Sequence, residues 1–194
     1  MIDTLAPMRT SVLVLALVLL GTTPAAADDA LWTLLKSGGQ VILIRHANAP
    51  GIFDPPGMRF NDCATQRNLD EQGRAEARRI GAAFRAQAIP VGDVRSSRWC
   101  RCMETAKLAF GRAEHWEPID GAQPGSETET RRAAAVRAFA STPVAGGNVV
   151  LVTHNFNIRA ITGISTASGE MVVLTPKGSD FTIAGRIPLA ALPD

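Results

Sequence analysis

"VILIRHANAP", residues 41–50, begins as an uninterrupted apolar run, sets Arg45 beside His46, and then breaks into small residues and Pro50. A strand without polar alternation is one covered on both faces, as in a parallel sheet flanked by helices. A second run of the same kind, "GGNVVLVTH" at 146–154, also ends in a histidine. Ligands in open α/β sheets sit beyond the carboxyl ends of the strands, so the two histidines, His46 and His154, are predicted to face one crevice.

The segments around these strands complete the pattern. "DDALWTLLKSGG" from Asp28 has Leu31, Leu34 and Leu35 at helical spacing behind an acidic cap. The stretch 47–68 is broken by glycine and proline and has no period, so it reads as a long loop of the kind that is usually functional. Asp70 caps a helix to about residue 88, with Ala77, Ile80 and Phe84 on one stripe. "VGDVRSS" is a short strand and loop, "RWCRCMETAKLAFG" a helix stopped by Gly111, and 112–125 irregular. Ser126 and Glu129 form a capping-box pair ahead of an Ala-rich helix, and "NFNIRAITG" is a further short helix. "MVVLTP" and "FTIAGRIPL" are strands around a "KGSD" turn. This order predicts an α/β fold: a three-layer αβα sandwich with a mostly parallel central sheet and a C-terminal hairpin.

At 194 residues, 46 % hydrophobic and 20 % charged, the chain suits one domain with a sizeable core. Arg9, the apolar run 12–20 and the small residues Ala25 and Ala27 describe a signal peptide over residues 1–27, with residues 28–194 as the mature domain. The apolar run is too short for a spanning helix, so a periplasmic or secreted protein without stable membrane insertion after cleavage is expected. A net charge of +2 gives no argument for nucleic acid. Of the three cysteines, Cys100 and Cys102 are too close in sequence to bridge easily. That leaves Cys63 to pair with one of them, Cys100 being favoured, and three buried thiols as the competing reading.

A single histidine at a strand end is most often structural; two in equivalent places favour a shared site. Side chains alternate along a strand, so Arg45 and His46 can meet one ligand only if the chain turns at about His46, and residues 47–51 supply that turn. Arg101 falls in the first turn of a helix, where free backbone N–H groups also favour an anion. Guanidinium forks suit phosphate oxygens, and neighbouring cations keep an imidazole neutral and nucleophilic. Arg67 and Arg159 read more simply as solvated arginines. Ser96 and Ser97 form a turn presenting Arg101 and lack the partners of a serine nucleophile.

With "LIRHA", "RSSRWCRCMETA" and "LVTHN" in this order, the chain resembles the histidine phosphatase superfamily, the phosphoglycerate-mutase-like fold, in its small secreted bacterial branch. The resemblance implies a phosphorylated nucleophile at His46, phosphate clamps at Arg45 and Arg101, and a second pocket histidine at His154, with no metal and no cofactor. Members often carry Gly and an acid or amide after the Arg-His pair, followed by Ser or Thr. Here Ala47, Asn48 and Ala49 stand instead, and Asn48 is the candidate to replace the missing hydroxyl contact in part.

The general acid common in such enzymes does not align. Glu117, Glu127 and Glu170 are the candidates, with Glu170 where the family's chain passes near the pocket; Asp54, Asp62 and Asp120 are further candidates. The expected function is an exported phosphohydrolase acting on a small phosphomonoester through a phosphohistidine. The alternative is a catalytically weak phosphate-binding module of the same fold. Substrate identity and oligomeric state are not readable from the residues.

Overall fold

The computed structural model describes residues 24–192; the apolar run of the expected signal peptide lies outside them. Strand β1, Val41–Arg45, occupies an inner position of a six-stranded sheet. It pairs in parallel with β4, Asn148–Thr153, and antiparallel with β5, Met171–Pro176. β2, Val91–Ser96, lies beyond β4, followed by β3, Glu114–His115; β6, Phe181–Ile187, closes the opposite edge as the hairpin partner of β5. The strand order is β3-β2-β4-β1-β5-β6, with the first four strands parallel.

Alternate residues of these apolar strands supply two cores. Ile42, Ile44, Val150, Val152, Met171 and Val173 pack with α1 (Pro24–Lys36), α2 (Glu71–Ala86) and α3 (Cys100–Phe110). Val41, Leu43, Val149, Leu151, Val172 and Leu174 pack with α4 (Glu127–Ser141) and α5 (Asn155–Thr162). The result is the three-layer αβα arrangement predicted from unalternated strands. Burying each Ile, Leu or Val contributes about 1.5–3 kcal/mol, so β1 and β4 form a rigid platform for the residues at their carboxyl ends.

Strand register aligns those residues. Arg45 lies opposite Thr153, and the His46 N–H bonds to the Thr153 carbonyl at 3.0 Å, so the ladder runs one residue past β1 and brings His46 alongside His154. The turn after His46 passes against α2, where a Cβ on Gly73 would lie 2.0 Å from the Asn48 carbonyl oxygen. Only glycine permits that approach.

Some boundaries differ from expectation. α1 begins at Pro24, ahead of the expected cleavage point after Ala27, rather than at the Asp28 cap. The segment 112–125 contains β3, which pairs with Arg95 and Ser96, and is too short to show a period. The loop 47–69 holds a 3₁₀ turn, Cys63–Thr65, and a disulfide joins Cys63 to Cys100 at the start of α3; Cys102 is a free, buried thiol.

Candidate active site

His46 is buried, and its Nδ1 lies 2.8 Å from the Ala47 carbonyl oxygen. A carbonyl only accepts, so Nδ1 carries the proton and Nε2 keeps its lone pair. Burial pushes the imidazole pKa down to about 3; Arg101, Arg67 and Arg45 act in the same direction, against the Ala47 carbonyl. His46 is therefore neutral at physiological pH. The chain beyond it is held by α3: the Ala47 N–H donates to Thr105 Oγ1 at 3.1 Å, and that hydroxyl donates to the Arg101 carbonyl at 2.7 Å.

His154 ends β4 and precedes α5. Its Nε2 shares a hydrogen bond with Ser97 Oγ at 2.9 Å, and its ring stacks on Phe156 with centroids 5.3 Å apart. The two histidine rings meet edge to face at 5.6 Å. Burial, followed by Arg101, holds His154 well below the ordinary imidazole value, so it too is neutral. Cys102 packs beneath it, with Sγ 3.7 Å from Nε2; burial pushes the thiol up to about 12 and leaves it unreactive.

Three guanidinium groups surround these rings. Arg45 Nη1 donates to the Thr166 carbonyl at 2.6 Å, Arg67 Nη1 to the Ala49 and Gly51 carbonyls, and Arg101 Nη1 to the Asp54 carboxylate at 2.9 and 3.2 Å. The Nε of each is buried without a hydrogen-bond partner among the described residues. A buried polar group left unpaired costs about 1–3 kcal/mol, so three donors in this condition around one cleft point to a ligand with several acceptor oxygens.

The cleft has a volume of about 420 Å³. Arg45, His46, Asp54, Arg67, Arg101 and His154 form its polar floor, while Ile52, Phe53, Trp99 and Phe156 contribute apolar surface. Asp54 accepts from the Arg67 backbone N–H at 2.9 Å and from Trp99 Nε1 at 3.0 Å as well as from Arg101. Burial alone would raise its pKa, but these donors together hold it below the usual carboxylate range. Three cations thus face one anion.

The structure brings Arg45, His46, Arg101 and His154 together, with Asp54 of the acid candidates beside them, and separates the remaining candidates from them. Asn48 turns away: its Nδ2 donates to Asp70 Oδ2 at 2.9 Å at the start of α2. Glu170 is buried behind Arg45, where it accepts from Arg186 Nε and from the Ala167 N–H, each at 2.7 Å, and it does not line the cleft. Glu117 is paired with Arg132 at 2.6 Å, and Glu127 is exposed on α4. Asp62 caps the 3₁₀ turn and pairs with Arg59, and Asp120 pairs with Arg98. The first N–H of α3, expected to be free for an anion, donates instead to Gln66 Oε1 at 2.9 Å.

Arg67, expected to be a solvated loop residue, lines the cleft, as do Trp99 and Asn155, which the motifs did not single out; Ser97, read as part of the turn presenting Arg101, bonds His154. The length of the loop 47–69 was the one signal pointing to Arg67. Among the described residues, no group of three or more His, Cys, Asp or Glu side chains is placed to hold a metal ion.

No family profile matches the chain, and no curated protein matches it. Solved structures do. The protein histidine phosphatase SixA complexed with tungstate aligns over 79 % of this chain and 99 % of its own, at 16 % identity and a TM-score of 0.57. The mycobacterial glucosyl-3-phosphoglycerate phosphatase Rv2419c complexed with VO3 aligns over 75 % and 96 %, at 15 % identity and 0.56. The product of open reading frame Rv3214 from Mycobacterium tuberculosis aligns over 76 % and 96 %, at 15 % identity and 0.58. The chain has the αβα fold shared by these proteins, the fold of the histidine phosphatases.

Proposed function

We propose that the chain is an exported histidine phosphatase that hydrolyses a phosphomonoester through a phosphohistidine on His46. The observation that carries this reading is a neutral, buried His46, its Nδ1 fixed by Ala47, set among three guanidinium groups whose Nε–H donors lack partners among the described residues. The oxyanions tungstate and VO3 bound to proteins of the same fold support an oxyanion site here.

In this mechanism Nε2 of His46 attacks phosphorus as the bond to the leaving oxygen breaks. Arg45, Arg67 and Arg101 hold the phosphoryl oxygens, and His154, oriented by Ser97, donates to one of them. Fixed donors in a site shielded from water stabilise developing charge without reorganising, the effect that dominates phosphoryl transfer. Water then attacks the phosphohistidine, breaking the N–P bond and releasing inorganic phosphate and neutral His46. No step calls on a metal.

A second reading is a phosphate-binding module with negligible turnover. It is favoured by Asp54, the carboxylate in the cleft, being held in its ionised form. Phosphate release from a panel of phosphomonoesters, measured with chelator present, separates the two. Turnover that survives chelation and falls at least ~1000-fold in His46→Ala supports the hydrolase, since removing a nucleophile costs that much or more. Equal turnover in both proteins removes His46 from the nucleophile role. No turnover in either, with orthophosphate raising the Tm, supports the binding module.

Export rests on the leader-like residues 1–27 and on the Cys63–Cys100 disulfide, which suits an oxidising compartment. The expected amino terminus of the exported protein is Asp28. A chain that retains residues 1–27 in the cytoplasm contradicts the proposal.

A further inference from the structure

The partners of Asp54 constrain the leaving group. To protonate a departing oxygen, a carboxyl must first hold a proton, and hydrogen-bond donors directed at a carboxyl favour its ionised form. The groups bonded to Asp54 are all donors: the Arg67 N–H, Trp99 Nε1–H and the Arg101 guanidinium. Among the described residues, no other carboxylate lines the cleft, and Glu170, Glu117 and Asp120 are each paired with arginines outside it.

Apolar surface is concentrated at the mouth. Ile52 and Phe53 are 81 % and 84 % exposed, yet both line the cleft that contains His46. Trp99 and Phe156 belong to the same cleft, and apart from Arg45, Arg67, Arg101 and the Asp54 carboxylate that bonds Arg101, no charged side chain lines it among the described residues. An exposed aromatic and an exposed branched aliphatic side by side at a cleft mouth are apolar surface that an apolar ligand would cover.

Building on the hydrolase reading, we infer that the enzyme is selective for phosphoryl groups carried by an uncharged aromatic leaving group that departs without a proton from the protein. Attack by His46 Nε2 forms the N–P bond as the P–O bond breaks. The electron pair leaves on an aryl oxide, which resonance stabilises and water later protonates. Asp54 acts as a positioning residue that fixes Arg101, not as the proton donor.

The test is kcat/KM, which reports formation of the phosphohistidine, for p-nitrophenyl, phenyl and benzyl phosphate. General-acid assistance contributes roughly 10²–10⁴-fold, and its benefit grows as the leaving group becomes more basic. Without it, kcat/KM is expected to fall at least ~100-fold from p-nitrophenyl to benzyl phosphate. Asp54→Asn should lower all three by one common factor. Phe53→Ser should reduce phenyl phosphate turnover about tenfold more than that of glycerol phosphate, as loss of an apolar contact predicts.

A profile flat to within about fivefold overturns the inference while leaving the hydrolase intact. So does Asp54→Asn striking benzyl phosphate at least ~10-fold harder than p-nitrophenyl phosphate, which would make Asp54 the acid. Absence of turnover on every ester, with His46 never phosphorylated, overturns the hydrolase reading and this inference with it.

Discussion

The strand side and the loop side of the cleft are built by different physics. On the strand side, Arg45, His46 and His154 lie at the ends of β1 and β4, whose side chains are buried almost throughout and whose ladder extends to His46. On the loop side, Asp54 and Arg67 are held by polar pins. Gln66 Nε2 donates to the Arg59 carbonyl at 2.9 Å, Asn68 Nδ2 to the Cys63 carbonyl at 2.6 Å, and the Cys63–Cys100 disulfide ties the loop to α3. Apolar burial is distributed over many contacts and tolerates the loss of one, whereas a pinned loop depends on few bonds. The proposed nucleophile therefore rests on the robust half, while Arg67 and the carboxylate that holds Arg101 rest on the fragile half.

The largest expected effect comes from cutting the covalent pin. The disulfide closes a loop with a sequence separation of 37. Loop-closure entropy then assigns it roughly 4 kcal/mol, about a thousandfold in the folding equilibrium. Denaturant unfolding of the Cys63→Ser, Cys100→Ser double variant measures this. A loss below about 1 kcal/mol would show that the polar pins hold the loop unaided.

Next is Arg67, the loop's contribution to the cluster of cations. Replacing one donor to a developing oxyanion costs roughly 100-fold in turnover, the drop in kcat/KM expected for Arg67→Met. A change under about twofold would return Arg67 to the solvated loop and leave the anion to the strand side and α3.

The strand side is tested by pH. Burial and the arginines hold His46 at about 3, so the protonated, inactive imidazole should appear only as pH falls toward that value. Once the substrate's own ionisation is factored out, kcat/KM should stay level from pH 7 to 5. An imidazole at its ordinary value of about 6.5 would instead lose roughly 25-fold over that interval. An acid limb near 6.5 would mean that the strand ends do not desolvate the nucleophile.

The smallest effect is assigned to Asn48. Its side chain bonds to the α2 cap, so Asn48→Ala should lower stability by about 1 kcal/mol and change kcat/KM by less than about threefold. A tenfold loss of turnover without loss of Tm would place Asn48 at the phosphate after all.

The same contrast explains which parts of the site are legible in the sequence. Apolar runs announce β1 and β4 because burial on both faces removes the need for polar alternation, and Arg45, His46 and His154 are readable as interruptions of those runs. Arg101 is readable because a helix starts just after the β2 turn. Asp54 and Arg67 depend on hydrogen bonds between residues 13 apart and on a bond to α3, pairings that no periodicity encodes. Glu170 is misplaced for the complementary reason. It does stand close to Arg45 in the chain's path, but Arg186 on β6, 16 residues later, claims its carboxylate. Asn48 has the right position after His46, yet the turn that lets Arg45 and His46 meet also swings Asn48 toward Asp70.

The most direct measurement is rapid quenching of the protein with ³²P-labelled p-nitrophenyl phosphate, then peptide mapping. The account predicts a phosphopeptide labile in acid and stable in alkali, with the phosphoryl group on His46, forming and decaying fast enough to carry turnover. Turnover with no labelled protein, or label on any other residue, would contradict it.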